Sequence, residues 1–249
     1  MATTIVELEK QESPVSAGDG ITAAAGMWTF SGVTSANFDK HVTKSVPLYK
    51  EGHELVCKLS EFFVGPESTC FEIGCSTGTL LCALAQQHAN KNGQFVGIEI
   101  ERDMADVAIR RCAGIPSVKI CHADALSYDF APADLIVAYY TVQFVLPKHR
   151  QELINRLYAS LNWGGALFLF EKVRAPDARF QDLVTQTYIE YKLEQGYSAD
   201  EILGKSRSLK RVLEPFSSAA NVALLRRAGF EDVVTVMKYL CFEGFLAIK

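Results

Sequence analysis

The residues best suited to chemistry lie in the segment 69–78, which reads Thr-Cys-Phe-Glu-Ile-Gly-Cys-Ser-Thr-Gly. β-forming residues give way to Gly74 and Gly78, and an apolar helical pattern follows, so the segment reads as strand, turn, helix. Glycine permits a tight turn and lets a ligand approach bare backbone, while free N–H groups at the next helix start can receive its polar atoms. Glu72 sits at the strand's end. About one βαβ unit later a second apolar run, 94–99, closes on Glu99, where a carboxylate can accept both hydroxyls of a nucleotide ribose. Asp124 follows a third strand pattern and can accept an adenine amino group. The usual third glycine of a dinucleotide fingerprint is missing, and a glutamate precedes the first glycine. That combination favours S-adenosylmethionine (SAM) over NAD. In this reading Glu72 orders the turn or the ligand's ammonium.

Strand patterns near 69–73, 94–99, 118–122, 133–140 and 165–171 alternate with helical patterns near 79–88, 103–112 and 148–160. Such alternation predicts an α/β fold with a mostly parallel sheet covered by helices on both faces. Residues 1–26 are rich in small residues without a period and read as a flexible arm. The remainder, 27–249, reads as one domain. Amphipathic helices over 27–64 form an N-terminal lid, and a strandless helical insertion over 177–214 adds a cover. Ser218–Ala228 reads as a helix closed by Gly229, and 231–240 with 244–248 as an antiparallel C-terminal hairpin.

A net charge of −4 gives no reason to expect nucleic acid or an anionic membrane surface as partner. No apolar run reaches the length of a membrane span, and the N-terminus lacks the basic-then-apolar order of an export signal. A cytoplasmic location is expected. Seven cysteines with no Cys-x-x-Cys pair argue against a disulfide framework or a zinc knuckle, so Cys75 and Cys82 read as space-filling. The five histidines show no ligand spacing, and no metal is expected. The basic cluster Lys205, Arg207, Lys210 and Arg211 reads as the solvated face of a helix ahead of an anion site.

From Trp28 to the C-terminus the chain resembles the carboxy-SAM synthases, a branch of the class I SAM-dependent methyltransferase fold. The resemblance rests on Trp28-Thr-Phe30, Ser45-Val-Pro-Leu-Tyr49, Ile73-Gly-Cys-Ser76, Thr141-Val-Gln-Phe144, Leu161-Asn-Trp-Gly-Gly165, Glu171-Lys172, Gly196-Tyr-Ser198 and Ala228-Gly-Phe230. It implies a Rossmann-like sheet with a C-terminal antiparallel hairpin and a helical lid. It also implies a homodimer with the late helical segment near the partner's site. Tyr49, Gly74, Cys75, Ser76, Glu99, Asp124 and Ala125 fall where that family holds its SAM-derived ligand. Two positions depart. Where the family grips the extra carboxylate of carboxy-SAM with arginine, this chain has Ser206, with Arg207 one residue on. On a helix that step rotates a side chain by roughly 100°. Where the family has asparagine before its Thr-x-Gln-Phe run, this chain has Tyr139 and then Tyr140.

By the resemblance, Trp28, Phe30, Tyr49, Tyr139, Tyr140 and Phe144 converge near the sulfonium. Aromatic faces attract a cation that cannot itself donate hydrogen bonds. Trp28, Tyr49, Tyr139 and Tyr140 are therefore the expected reaction-site residues. A small, dry, aromatic pocket suits attack by the amino group of SAM on its own γ-carbon, giving azetidine-2-carboxylate and methylthioadenosine. Methyl transfer to a small-molecule acceptor ranks second and carboxy-SAM synthesis third. A non-catalytic SAM-binding module ranks last.

Overall fold

A computed structural model describes residues 13–249; the expected arm lies outside the described residues over 1–12. From residue 13 the chain is not a loose arm. β1 (Val15–Gly18) and β2 (Ile21–Ala23) pair as an antiparallel hairpin that buries Ala17, Ile21 and Ala23 against Trp28. Composition hides this hairpin because its apolar residues are few and Gly18 and Gly20 dominate the turn. Asp19 at its tip accepts hydrogen bonds from Tyr197 (2.8 Å) and Lys44 (3.1 Å), and lies 3.0 Å from His41 Nδ1.

The expected lid helices are α1 (Val33–Ser45) and α2 (Tyr49–Ser60). The strand-helix series then runs β3 (Thr69–Ile73), α3 (Thr79–Gln87), β4 (Gln94–Glu99), α4 (Arg102–Cys112), β5 (Val118–His122), β6 (Ala133–Tyr139), α5 (Pro147–Ser160) and β7 (Leu161–Lys172). The insertion holds α6 (Ala178–Glu194) and α7 (Ala199–Ser208). After α8 (Ser218–Ala228) the chain ends in β8 (Asp232–Tyr239) and β9 (Phe242–Ile248).

Seven strands form one sheet in the order β5-β4-β3-β6-β7-β9-β8. The first five lie parallel, and β9 enters antiparallel between β7 and β8. β6 shows the driving force. Leu135 and Val137 feed the core under α2 and α3, while Ile136 and Ala138 feed the core with Leu153, Leu157 and Leu225 of α5 and α8. Each fully buried aliphatic side chain there contributes about 1.5–3 kcal/mol. Because β3 is central, its C-terminal end and the neighbouring end of β6 open into one crevice, where strand order reverses direction.

One expectation fails. Cys82 on α3 and Cys112 at the end of α4 are joined as a disulfide. α3 and α4 cross behind Gly78, whose absent Cβ would stand 3.1 Å from Cys112 Sγ. That approach is a tertiary event which no sequence spacing encodes.

Gly97 in β4 makes room for the glycine turn, since a Cβ there would stand 2.6 Å from Cys75 Sγ and 2.9 Å from Leu81. Gly97→Ala is expected to cost about 1–3 kcal/mol of overpacking. Urea denaturation measures it, and an unchanged midpoint would refute the close fit.

Candidate active site

The turn after β3 is held from below. The N–H groups of Gly74 (2.7 Å) and Cys75 (3.2 Å) both donate to the Ile98 carbonyl. Gly74 (φ +67°) and Gly78 (φ +77°) occupy the left-handed region, and a Cβ at Gly74 would reach 2.5 Å from the Thr141 side chain. Ser76 also sits there, at φ +49°. Its N–H donates to one oxygen of the buried Glu99 carboxylate (2.8 Å), and the Glu101 N–H donates to the other (2.9 Å). Burial raises the Glu99 pKa above the usual carboxylate value, and the backbone donors oppose that shift.

Above the turn stands a wall of three rings. Tyr49 and His53 are one helical turn apart on α2, so both face the sheet. Their centroids lie 4.6 Å apart, and Tyr139 from the end of β6 lies 5.3 Å from Tyr49 and 4.6 Å from His53. The Tyr139 hydroxyl donates to the Tyr49 carbonyl at 2.8 Å and fills the place a Cβ would take on Gly52. Glu72, Tyr49, His53, Tyr139 and the turn residues Gly74–Thr77 enclose about 10 Å³. That is room for roughly one water molecule.

Two titratable groups face this enclosure. Glu72 is buried, its Oε2 has no hydrogen-bond partner, and burial drives its pKa well above 4.5. Burial pushes His53 the other way, from 6.5 down to about 4, so its imidazole is neutral at pH 7. The enclosure is latched from outside. Asp39 of α1 accepts from Thr77 Oγ1 (2.6 Å) and from Arg111 of α4 (2.5 Å), and Arg111 also donates to the Thr77 carbonyl (2.9 Å).

Of the residues singled out from sequence, Tyr49, Glu72, Gly74, Cys75, Ser76 and Tyr139 line this pocket. Glu99 braces it through Ser76, and Gly78 shapes the turn from outside the lining. Asp124 opens the turn beyond β5, exposed, with its carboxylate accepting the Leu126 N–H (2.9 Å); Ala125 follows it, and neither lines the enclosure. Tyr140 stands one layer behind, 4.8 Å from Tyr139 and stacked 6.3 Å from Tyr49. Trp28 is a correction. It is buried in the hairpin core, 5.7 Å from the His41 ring and beneath the Lys205 ammonium, with its backbone N–H donating to the Ser208 carbonyl. Phe30 and Phe144 pack edge to face at 4.9 Å, away from the lining. Ser206 and Arg207 are both exposed, and the Arg207 carbonyl accepts the Gly26 N–H. Sequence reasoning missed His53, Asp39 and Arg111. Only His53 left a signal, its i+4 spacing from Tyr49.

The sheet order, the glycine turn after its central strand and the acid ending the next strand define a protein of the class I methyltransferase fold. A family model described as "Methyltransferase domain" matches residues 71–165. The solved structure of an O-methyltransferase family protein from Burkholderia thailandensis superposes with a TM-score of 0.63 at 14% identity, covering 87% of this chain and 59% of that one. At that identity the likeness concerns the fold. Closer in sequence is the carboxy-S-adenosyl-L-methionine synthase of Staphylococcus epidermidis, 36% identical over 89% of this chain and 97% of its own. The Campylobacter lari synthase of the same name is 32% identical over 88% of this chain and 94% of its own. The chain belongs to the carboxy-S-adenosyl-L-methionine synthase family. Among the described residues no cluster of metal-ligating side chains occurs and no helix is long and apolar enough to cross a membrane.

The depressed His53 pKa makes stability pH-dependent. Between about 4 and 6.5 the unfolded chain binds a proton that the folded one refuses, so His53's contribution is full above 6.5 and lost as pH falls towards 4. It amounts to at most about 3 kcal/mol. His53→Gln is expected to reduce the stability difference between pH 7.5 and 4.5 in urea titrations. An unchanged difference would exclude it.

Proposed function

We propose that this chain is a SAM-consuming enzyme that cyclises SAM to azetidine-2-carboxylate and releases methylthioadenosine. The turn Gly74–Gly78 and Glu99 would hold the nucleoside, with Glu99 using its remaining lone pairs for the ribose hydroxyls. Asp124 and Ala125 would border the adenine, and Tyr49 and Tyr139 the sulfonium. The residues fit such a ligand in one respect: Glu72 Oε2 is a buried oxygen without a hydrogen-bond partner beside the glycine turn.

In the reaction an N–Cγ bond forms, the Cγ–S bond breaks with its electron pair passing to sulfur, and one proton is released. This chain's residues supply the setting for those changes. Glu72, which burial alone would keep neutral, would be held ionised by the two positive charges of the bound substrate and then take the proton from its ammonium. His53 stays neutral and adds no charge to oppose the sulfonium. Tyr49 and Tyr139 exclude water and fold the substrate chain onto itself. Cation–π contact alone would favour the ground state, so the gain comes from conformation and desolvation.

One observation supports this reading over carboxy-SAM synthesis: serine stands at position 206, where the family's arginine would grip a second carboxylate, and neither Ser206 nor Arg207 lines the enclosure of its own chain. Family membership favours carboxy-SAM synthesis as the second reading. Methyl transfer remains the alternative suggested by the fold. A homodimer is part of the same proposal, with the exposed apolar residues Phe180, Leu183 and Leu193 of α6 as its contact.

Incubating the pure protein with SAM alone separates these readings. Methylthioadenosine with azetidine-2-carboxylate supports cyclisation. Conversion only after prephenate is added supports carboxy-SAM synthesis, and acceptor-dependent adenosylhomocysteine supports methyl transfer. Within the cyclase reading, Glu72→Gln should lower kcat about 100-fold or more with little change in SAM affinity. Equal losses in both would remove Glu72 from the proton's path. Glu99→Ala should chiefly weaken SAM binding, measured by calorimetry, and unchanged affinity would refute its ribose role.

A further inference from the structure

Three lysines meet where the lid touches the carboxyl end of the sheet. Lys172 closes β7, Lys192 lies on α6 and Lys205 on α7. The ammonium groups of Lys172 and Lys192 each lie 4.5 Å from the centre of the same Tyr188 ring. The Tyr188 hydroxyl donates to the Ser45 carbonyl (2.6 Å), and Lys205 reaches the Ser45 hydroxyl (3.4 Å) and His41. All three side chains are partly buried. Among the described residues, Lys40, Lys44, Lys91 and Lys238 each have a carboxylate within 4.0 Å, and these three have none.

The arrangement works against itself. Burial and then the neighbouring ammonium of Lys172 bring Lys192 down to about 8, and burial followed by the charges of Lys192 and Lys172 brings Lys205 to about 7. Ring faces offset part of the repulsion. A second, independent oddity lies alongside. Tyr140 follows the end of β6 at φ +58°, a strained setting for a bulky residue, and its buried hydroxyl has no partner. Its ring lies 5.8 Å from Phe242, which also sits 5.9 Å from the Lys172 ammonium. Strain, an unspent buried hydroxyl and like charges without a carboxylate in direct contact, Asp19 acting on Lys205 only from beyond His41, thus gather outside the carboxyl ends of β6 and β7, the region where open α/β sheets receive ligands.

We propose that Lys172, Lys192 and Lys205 form a binding site for a compact oxyanion of at least two negative charges, a dicarboxylate or a phosphate, which clamps α6 and α7 onto the sheet. The anion neutralises all three ammonium groups at once, and Tyr140 offers its hydroxyl from the sheet side. None of the three lysines lines the enclosure beside Glu72, so the anion does not share the proposed SAM pocket.

Thermal unfolding of the full chain without SAM, titrated at constant ionic strength with inorganic phosphate, succinate or acetate, tests the site independently of any turnover. Phosphate or succinate is expected to raise Tm saturably and acetate is not. A response to succinate alone assigns a carboxylate ligand, and a response to phosphate alone assigns a phosphate. Lys172→Gln and Lys192→Gln should each weaken the responding anion about tenfold or more, while Lys238→Gln, on the opposite strand's exposed edge, leaves it unchanged. Without anion, both site variants should unfold at or above the wild-type temperature, since each relieves repulsion. Absence of a saturable response, an equal response to acetate, or unaltered affinity in Lys192→Gln would overturn the proposal.

Discussion

The hydrogen bond from the Tyr139 hydroxyl to the Tyr49 carbonyl joins the lid to the sheet at the candidate active site, and much else follows from it. It requires glycine at position 52, because the phenol occupies the space of a β-carbon there. It sets the distance between α2 and β6, and so brings His53 into ring contact with both tyrosines. With the phenol hydrogen used in that bond, the ring face rather than the hydroxyl is left to meet a ligand. A side chain that reads from sequence as a reaction-site residue is thus equally a structural tie.

The charges around the enclosure show a consistent use of burial. Glu72 and Glu99 are carboxylates held where water cannot reach, and both are pushed towards the neutral form. His53 is pushed towards neutrality from the opposite side. The result is a site with little fixed charge of its own, in which a cationic ligand would be the dominant charge. Arg111, a cation at the rim, is held there by Asp39 and the Thr77 carbonyl.

The sheet was legible in the sequence because its strands are short apolar runs bounded by turns, and their alternation with helices leaves few topologies. The glycine turn and the acid ending the next strand were legible for the same reason, since both follow from where a strand must stop. What was hidden depends on tertiary approach. Trp28 belongs to an aromatic pattern in sequence, yet the hairpin 15–23 captures it for a separate core. The Cys82–Cys112 bridge forms only because two helices cross over a glycine. Lys205 shares a helix with exposed Arg207, and only the turn of that helix sends one inward and the other to solvent.

The disulfide has a further consequence for motion. It staples α3 to α4 directly under the glycine turn, making that side of the crevice a fixed jaw. The opposite jaw, α1 and α2, carries no such covalent tie and meets the fixed one at the rim through the hydrogen bonds that Asp39 accepts from Arg111 and Thr77. Of the two sides of the crevice, it is the one whose position rests on reversible polar contacts.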